Sequence, residues 1–79
     1  MNFLEIKDSK QENFTALINL DRISSIDMQE TAYSGAQIAI EIAGRSTSYT
    51  KAYDTVQDAQ NVFGELKDVL INGGGTVTL

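Results

Sequence analysis

The chain has 79 residues with 11 acidic and 6 basic side chains, a formal net charge of −5, and neither cysteine nor histidine. These absences exclude disulfides, the usual ligands of zinc, haem and iron–sulfur centres, and Ser–His or Cys–His catalysis. Direct binding to nucleic acid is disfavoured because it needs clustered Lys and Arg, whereas the basic residues here are scattered. We therefore expect a protein that is not an enzyme and has no cofactor or metal.

The length predicts a single domain over residues 1–79. No apolar run approaches the ~20 residues that span a bilayer, so no membrane partner is expected. The first residues, MNFLEIKDSK, lack the basic and apolar regions of a signal peptide. Together with the absence of cysteine, this predicts a cytoplasmic protein.

Residues 2–53 alternate between apolar and polar side chains with a period of two, which predicts half-buried strands. The alternating faces are Leu4 and Ile6; Phe14, Ala16, Ile18 and Leu20; Ser24, Ile26 and Met28; Ile38, Ile40 and Ile42; and Thr47, Tyr49, Lys51 and Tyr53. Polar turns separate these stretches, and Gly44-Arg45 reads as a two-residue hairpin in which glycine supplies a positive φ. Strands joined by short turns predict an antiparallel meander.

The period changes to that of a helix over about residues 55–72. Its apolar stripe consists of Val56, Ala59, Val62, Phe63, Leu66, Val69 and Leu70. Asp54 or Thr55 can cap the helix, and with Asp54 as the cap Gln57 would complete a capping box. Gly64 costs about 1 kcal/mol relative to alanine inside a helix. It either permits a close approach to the sheet or is merely tolerated.

The glycine-rich tail, residues 73–79, begins with three glycines. A phosphate-binding loop places its glycines before a helix, so we interpret Gly73 instead as a left-handed residue that ends the helix. The segment Thr76-Val77-Thr78-Leu79 is β-prone. It has three interpretations, namely a frayed end, a strand paired within the chain, or a strand paired with a neighbouring chain.

These patterns predict the α+β class, with a curved antiparallel meander of 4–5 strands, a C-terminal amphipathic helix on its open face and the tail as a candidate short strand. The predicted core joins Phe14, Ile38, Ile40, Ile42, Val62, Phe63 and Leu66.

Three stretches, FTALINLDRISSIDM, QIAIEIAGRSTSY and YDTVQDAQNVFGELKDVL, cover about half of the chain. Their order of strands and helix resembles the small pleckstrin-homology-like proteins of bacteria and their phages. The resemblance implies a meander followed by a C-terminal helix, and an accessory or host-takeover role in a phage or prophage. It transfers no site residues, because such folds host many functions.

The strand that begins at residue 45 is rich in hydroxyl groups and supplies one candidate site. Arg45, Tyr49, Lys51 and Tyr53 combine stacking surfaces with positive charge, which suits a nucleotide-like anion. The alternative is an edge strand with a polar outer face, whose charges prevent aggregation.

Two further surfaces are candidates for binding a protein partner. Asp58, Glu65 and Asp68 lie on the polar face of the predicted helix, which either meets a basic partner or is simply solvated. If the tail adds to the sheet of a neighbour, Val77 and Leu79 would fill pockets there and form a homo-oligomer.

The leading hypothesis is a non-catalytic cytoplasmic interaction module that binds another protein. One alternative is a protein that binds or sequesters a small nucleotide-like anion. A second alternative is an acidic mimic of nucleic acid that blocks a nucleic-acid-binding protein.

Overall fold

The computed structural model describes residues 2–44 and 48–79. Their elements are β1 (Phe3–Asp8), β2 (Gln11–Asn19), a 3₁₀ turn (Leu20–Arg22), β3 (Ile23–Glu30), β4 (Ala36–Ile42), β5 (Ser48–Tyr53), α1 (Val56–Asn72) and β6 (Gly75–Thr78). The predicted α+β class, the meander and the C-terminal helix are confirmed. No helix in these described ranges is both long enough and apolar enough to cross a membrane.

The strands form two open three-stranded sheets with the orders β2-β1-β6 and β3-β4-β5. The 3₁₀ turn separates them, because the Asn19 side chain accepts a hydrogen bond from the Asp21 N–H (3.0 Å) and ends the extended run of β2. The Ala43 N–H then donates to the Arg22 carbonyl (2.6 Å), which holds the end of β4 against this corner. The meander therefore turns a corner between two sheets instead of curving as one.

The core lies between the two sheets and α1, and the alternation of the strands builds it. Leu4, Ile6, Ile38 and Ile40 are almost completely buried. The other buried apolar residues are Ile18, Ala36, Ile42, Ala59, Leu66, Val69, Val77 and Leu79. The prediction that Phe14, Val62 and Phe63 are equally buried was too strong, because these side chains pack against the core and remain partly exposed.

The predicted face of β3 was wrong at Ser24. The register of β3 against β4 shifts between Ile23 and Ser25, which is the signature of a bulge. As a result Ile23 and Ile26 both pack against the core, while Ser24 is exposed. An extra residue in one strand breaks the period of two on which the prediction depended.

The ends of α1 follow capping rules. Thr55 is the N-cap, and its hydroxyl accepts a hydrogen bond from the Asp58 N–H at 3.1 Å. The alternative capping box on Asp54 is not formed, and the Gln57 side chain bonds to Asn61 instead (3.0 Å).

At its other end, α1 closes at Gly73, which has a left-handed φ of 81°. The Gly73 N–H donates to Leu70 O (3.4 Å) and the Gly74 N–H to Val69 O (3.0 Å), the pattern of a Schellman motif. The predicted stop of the helix at Gly73 is confirmed.

Glycines at three other positions have different roles. A Cβ built at Gly64 would meet nothing within 4 Å, so the glycine inside α1 is tolerated and does not mediate a close approach to the sheet. Gly44 has the predicted positive φ (79°), whereas the remainder of the predicted Gly44-Arg45 hairpin lies outside the described residues. At Gly75, where φ is 156°, a Cβ would lie 3.0 Å from Val69 Cγ2, so the backbone at this point passes close to the helix.

The tail forms a strand that pairs within its own chain. β6 pairs in parallel with β1 from Leu4↔Gly75 to Lys7↔Thr78. Beyond the ladder, the Leu79 N–H donates to the Lys7 carbonyl (2.7 Å) and the Ser9 N–H donates to the Leu79 carbonyl (3.0 Å). Pairing within the chain is therefore the correct one of the three interpretations of the tail.

Candidate binding surfaces

The inner face of β5 carries three of the predicted ligand residues. Tyr49, Lys51 and Tyr53 alternate along the strand and are each partly buried, whereas Ser48, Thr50 and Ala52 point outward. Arg45, the fourth predicted ligand residue, lies outside the described residues, as does Thr47.

Lys51 is already paired. Its ammonium nitrogen lies 3.1 Å from Asp8 Oδ1, and the two side chains are only 17% and 24% exposed. Asp8 also accepts a hydrogen bond from the Lys10 N–H at 2.8 Å. This backbone bond, followed by the bond from Lys51, holds the pKa of Asp8 below its ordinary value. An external anion would have to compete with Asp8 for Lys51.

The hydroxyl group of Tyr53 is not accessible to a ligand. Its hydroxyl oxygen is buried and has no hydrogen-bond partner among the described residues. Burial raises the pKa of Tyr53, and the nearby negative charges of Asp8 and Glu65 add to the effect. The phenol therefore stays protonated at neutral pH.

Tyr49, unlike Lys51 and Tyr53, lines a cleft of about 600 Å³. Its ring packs edge-to-face on Phe14, with the ring centroids 6.4 Å apart and the planes at 64°. The cleft runs along residues 14–19 of β2 and is also bordered by Phe3, Arg22, Ile42, Ala43, Gly44 and Tyr49. Among the described residues, neither Lys51 nor Tyr53 lines it, so the predicted ligand residues do not meet in one pocket.

The three acidic residues predicted to face a partner are all exposed on α1. Asp58, Glu65 and Asp68 are separated by 7 and 3 positions, so they share one side of the helix. No ion pair joins any of them to a Lys or Arg within the described ranges. Asp58 also lies in the first turn, where a negative charge stabilises the helix N-terminus.

An apolar groove between α1 and β3 was missed by the sequence analysis. It has a volume of about 320 Å³ and is lined by Ile26, Phe63, Leu66, Lys67 and Leu70. The next residue, Ile71, is 78% exposed, although it is apolar. Ile71 lies off the apolar stripe of the helix, and this departure from the period was the signal that could have revealed the surface.

Val77 and Leu79 do not form a surface for a neighbour. Their side chains are only 2% and 8% exposed, because β6 places them in the core of their own chain. The expectation that they fill pockets on another copy is therefore corrected by the pairing of β6 with β1.

In the part of the chain that the structure describes, no group of three or more Asp or Glu side chains is placed to hold a metal ion. No protein-family model, no curated protein and no solved structure matches this chain.

Proposed function

We propose that the protein is a non-catalytic module that binds another protein through the groove between α1 and β3. The observation that carries the proposal is the exposed apolar surface formed by Leu70 (38% exposed), which lines that groove, and by Ile71 (78%), the next residue of α1. Apolar side chains that adjoin a concave surface are typical of sites that a protein partner covers. The absence of cysteine supports a cytoplasmic location, and we assign the protein an accessory role in a phage or prophage on its resemblance alone.

The net charge of the chain supports one kind of partner. α1 presents Asp58, Glu65 and Asp68 to solvent, and the chain carries a net charge of −5. A complementary partner would be a basic, amphipathic segment whose apolar side chains enter the groove, while the acids on the opposite side of α1 attract it through the net negative charge. Such an interface gains rate and specificity from the charges and affinity from the apolar anchors.

The direct test uses a synthetic amphipathic peptide of leucine and lysine, titrated into the ¹⁵N-labelled protein. We expect chemical-shift changes at Phe63, Lys67, Leu70 and Ile71, which weaken as salt is added because surface charges are screened. A matched peptide of leucine and glutamate should give none. Equal shifts from both peptides, or shifts away from the groove, would contradict the proposal.

Variants sharpen the test. Ile71→Asp should remove binding of the basic peptide and of any natural partner that the wild type captures from its host. Tyr33→Asp is the control, because Tyr33 is 94% exposed and lies in the loop between β3 and β4, away from the groove. Exchange of Asp58, Glu65 and Asp68 for lysine reverses three charges and should weaken binding of the basic peptide without altering the fold.

A further inference from the structure

We propose that β2 is a self-association edge, through which two copies of the chain pair antiparallel and join their sheets. The proposal is independent of the function proposed above, because none of the described side chains of β2 lines the groove between α1 and β3. It concerns the outer edge of the sheet with the order β2-β1-β6, in which β2 is a terminal strand.

The four edge strands of the two described sheets differ in how they are protected. β3 carries Asp27 and Glu30, whose charges discourage a further strand. β5 carries Lys51, an inward-pointing charge held by Asp8. β6 is only four residues long. β2 has nine residues, and its last seven, NFTALIN, contain no charged side chain and no proline.

Leu17 gives an independent sign of a missing neighbour. It lies on β2 and is 65% exposed, and it is the one large apolar residue on a described strand that is exposed to this degree. Such a side chain on an uncharged edge is the combination that natural sheets avoid unless the edge is covered.

A second copy of the chain fits this edge better than a charged partner strand. A two-fold axis places the same segment opposite itself, so any charge on the strand would face a like charge. The segment from Asn13 to Asn19 avoids this penalty because it is neutral. The net charge of −5 on each copy lies elsewhere and opposes association, so added salt should strengthen the dimer.

Sedimentation of the full chain over low to high micromolar concentrations tests the proposal. We expect a monomer–dimer equilibrium that shifts towards the dimer as salt is raised. Leu17→Lys should weaken association by about tenfold or more, because two lysines would meet at the paired edge. Thr50→Lys is the matched control on the outward face of β5 and should leave the equilibrium unchanged.

Circular dichroism checks that each variant retains its fold. If Leu17→Lys does not fold, Thr15→Lys takes its place, because Thr15 is also exposed on β2. A wild-type chain that stays monomeric at high micromolar concentration overturns the proposal. So does a dimer that persists in the folded β2 variant, or one that Thr50→Lys disrupts equally.

Cysteine cross-linking locates the contact, since the natural chain contains no cysteine. Directly opposed residues of antiparallel strands have Cα atoms about 4.5–5.5 Å apart, within the range of a disulfide. The double variant Thr15→Cys/Leu17→Cys should form covalent dimers on oxidation, whereas Thr50→Cys should not. Covalent dimers from Thr50→Cys alone would overturn the proposal.

Discussion

The ammonium group of Lys51 lies 3.1 Å from the Oδ1 atom of Asp8, and this contact joins the last residue of β1 in one sheet to β5 in the other. The two residues are 43 positions apart in the sequence. No backbone ladder connects the two sheets in the described residues, so this pair is one of the few polar links between them.

The first prediction concerns that pair. Lys51→Met keeps an apolar stem but removes the charge, so the pKa of Asp8 should rise towards its ordinary value of 3.8. The rise should be incomplete, because the Lys10 N–H still donates to Asp8. Titration of the Asp8 carboxyl carbon by NMR measures it, with Lys10→Met as a control that leaves the backbone N–H in place and should raise the pKa less than Lys51→Met does. An unchanged pKa would show that the ion pair does not persist in solution.

The sign of the pH dependence follows from the same shift. The folded state holds the pKa of Asp8 below its value in the unfolded chain, so the ionised carboxylate stabilises the fold above the unfolded pKa. This contribution is lost as the pH falls through the folded pKa. Lys51→Met should therefore show a smaller loss of stability below about pH 3.8 than the wild type.

The second prediction concerns Tyr53, whose buried hydroxyl has no hydrogen-bond partner among the described residues. Tyr53→Phe should change the free energy of unfolding by less than about 1 kcal/mol at neutral pH, because no hydrogen bond is lost. The folded state raises the pKa of Tyr53 above its ordinary value of 10.0, so the unfolded chain loses the phenol proton at a lower pH than the folded protein does. The wild type is therefore destabilised as the pH rises from 10.0 through the folded pKa.

Thermal melts at alkaline pH distinguish the two proteins. Tyr53→Phe should retain more of its stability above pH 10 than the wild type. Tyr33→Phe, at a side chain that is 94% exposed, is the control for neutral pH and should leave the melting temperature unchanged there. A loss of several kcal/mol in Tyr53→Phe at neutral pH would reveal a partner of the hydroxyl that the structure does not show.

The third prediction contrasts two glycines. Gly64→Ala should stabilise the protein by up to about 1 kcal/mol, because the site is helical and a Cβ there meets nothing within 4 Å. Gly35→Ala should destabilise it, because a Cβ at Gly35 would lie 2.6 Å from the Tyr53 carbonyl oxygen. Urea denaturation of both variants measures the change in the free energy of unfolding, which should be positive for Gly64→Ala and negative for Gly35→Ala. A destabilised Gly64→Ala would contradict the open space around that position.

The fourth prediction concerns the tail. Removal of residues 76–79 should strongly destabilise the fold, because it exposes the edge of β1 and deletes Val77 and Leu79 from the core. Leu79→Ala should cost about 2–5 kcal/mol if the site stays as buried as it is here. The exchange Thr78→Ala, at an exposed position of β6, is the control and should have little effect. A truncated chain that melts like the wild type would show that β6 does not contribute to stability.

Local periodicity predicted most of the elements. Ile38, Ile40 and Ile42 alternate inward as expected, because a strand without bulges keeps its period of two. The stop of α1 at Gly73 was also predictable, because the left-handed cap depends on one residue type and its immediate neighbours.

The contacts between distant segments were not predictable in the same way. The pairing of Ile6 with Val77 and that of Asp8 with Lys51 depend on how the sheets are placed, which no local pattern encodes. The shift of register between Ile23 and Ser25 has the same origin, because a bulge is an adjustment to the neighbouring strand. The groove beside α1 was missed because it needs both Phe63 and the distant Ile26.

The pairing of β1 with β6 has a consequence for how the chain folds during its synthesis on the ribosome. Leu4 leaves the exit tunnel long before its partner Gly75 has been synthesised. Until residues 75–79 emerge, β1 of the nascent chain has an open flank and lacks the core side chains of Val77 and Leu79. The helix and the hairpins can form early from near neighbours, but closure of the first sheet must wait for the most distant contact, which is the kind that slows folding. Of the surfaces exposed during synthesis, this flank of β1 should stay accessible longest to a chaperone that binds nascent chains.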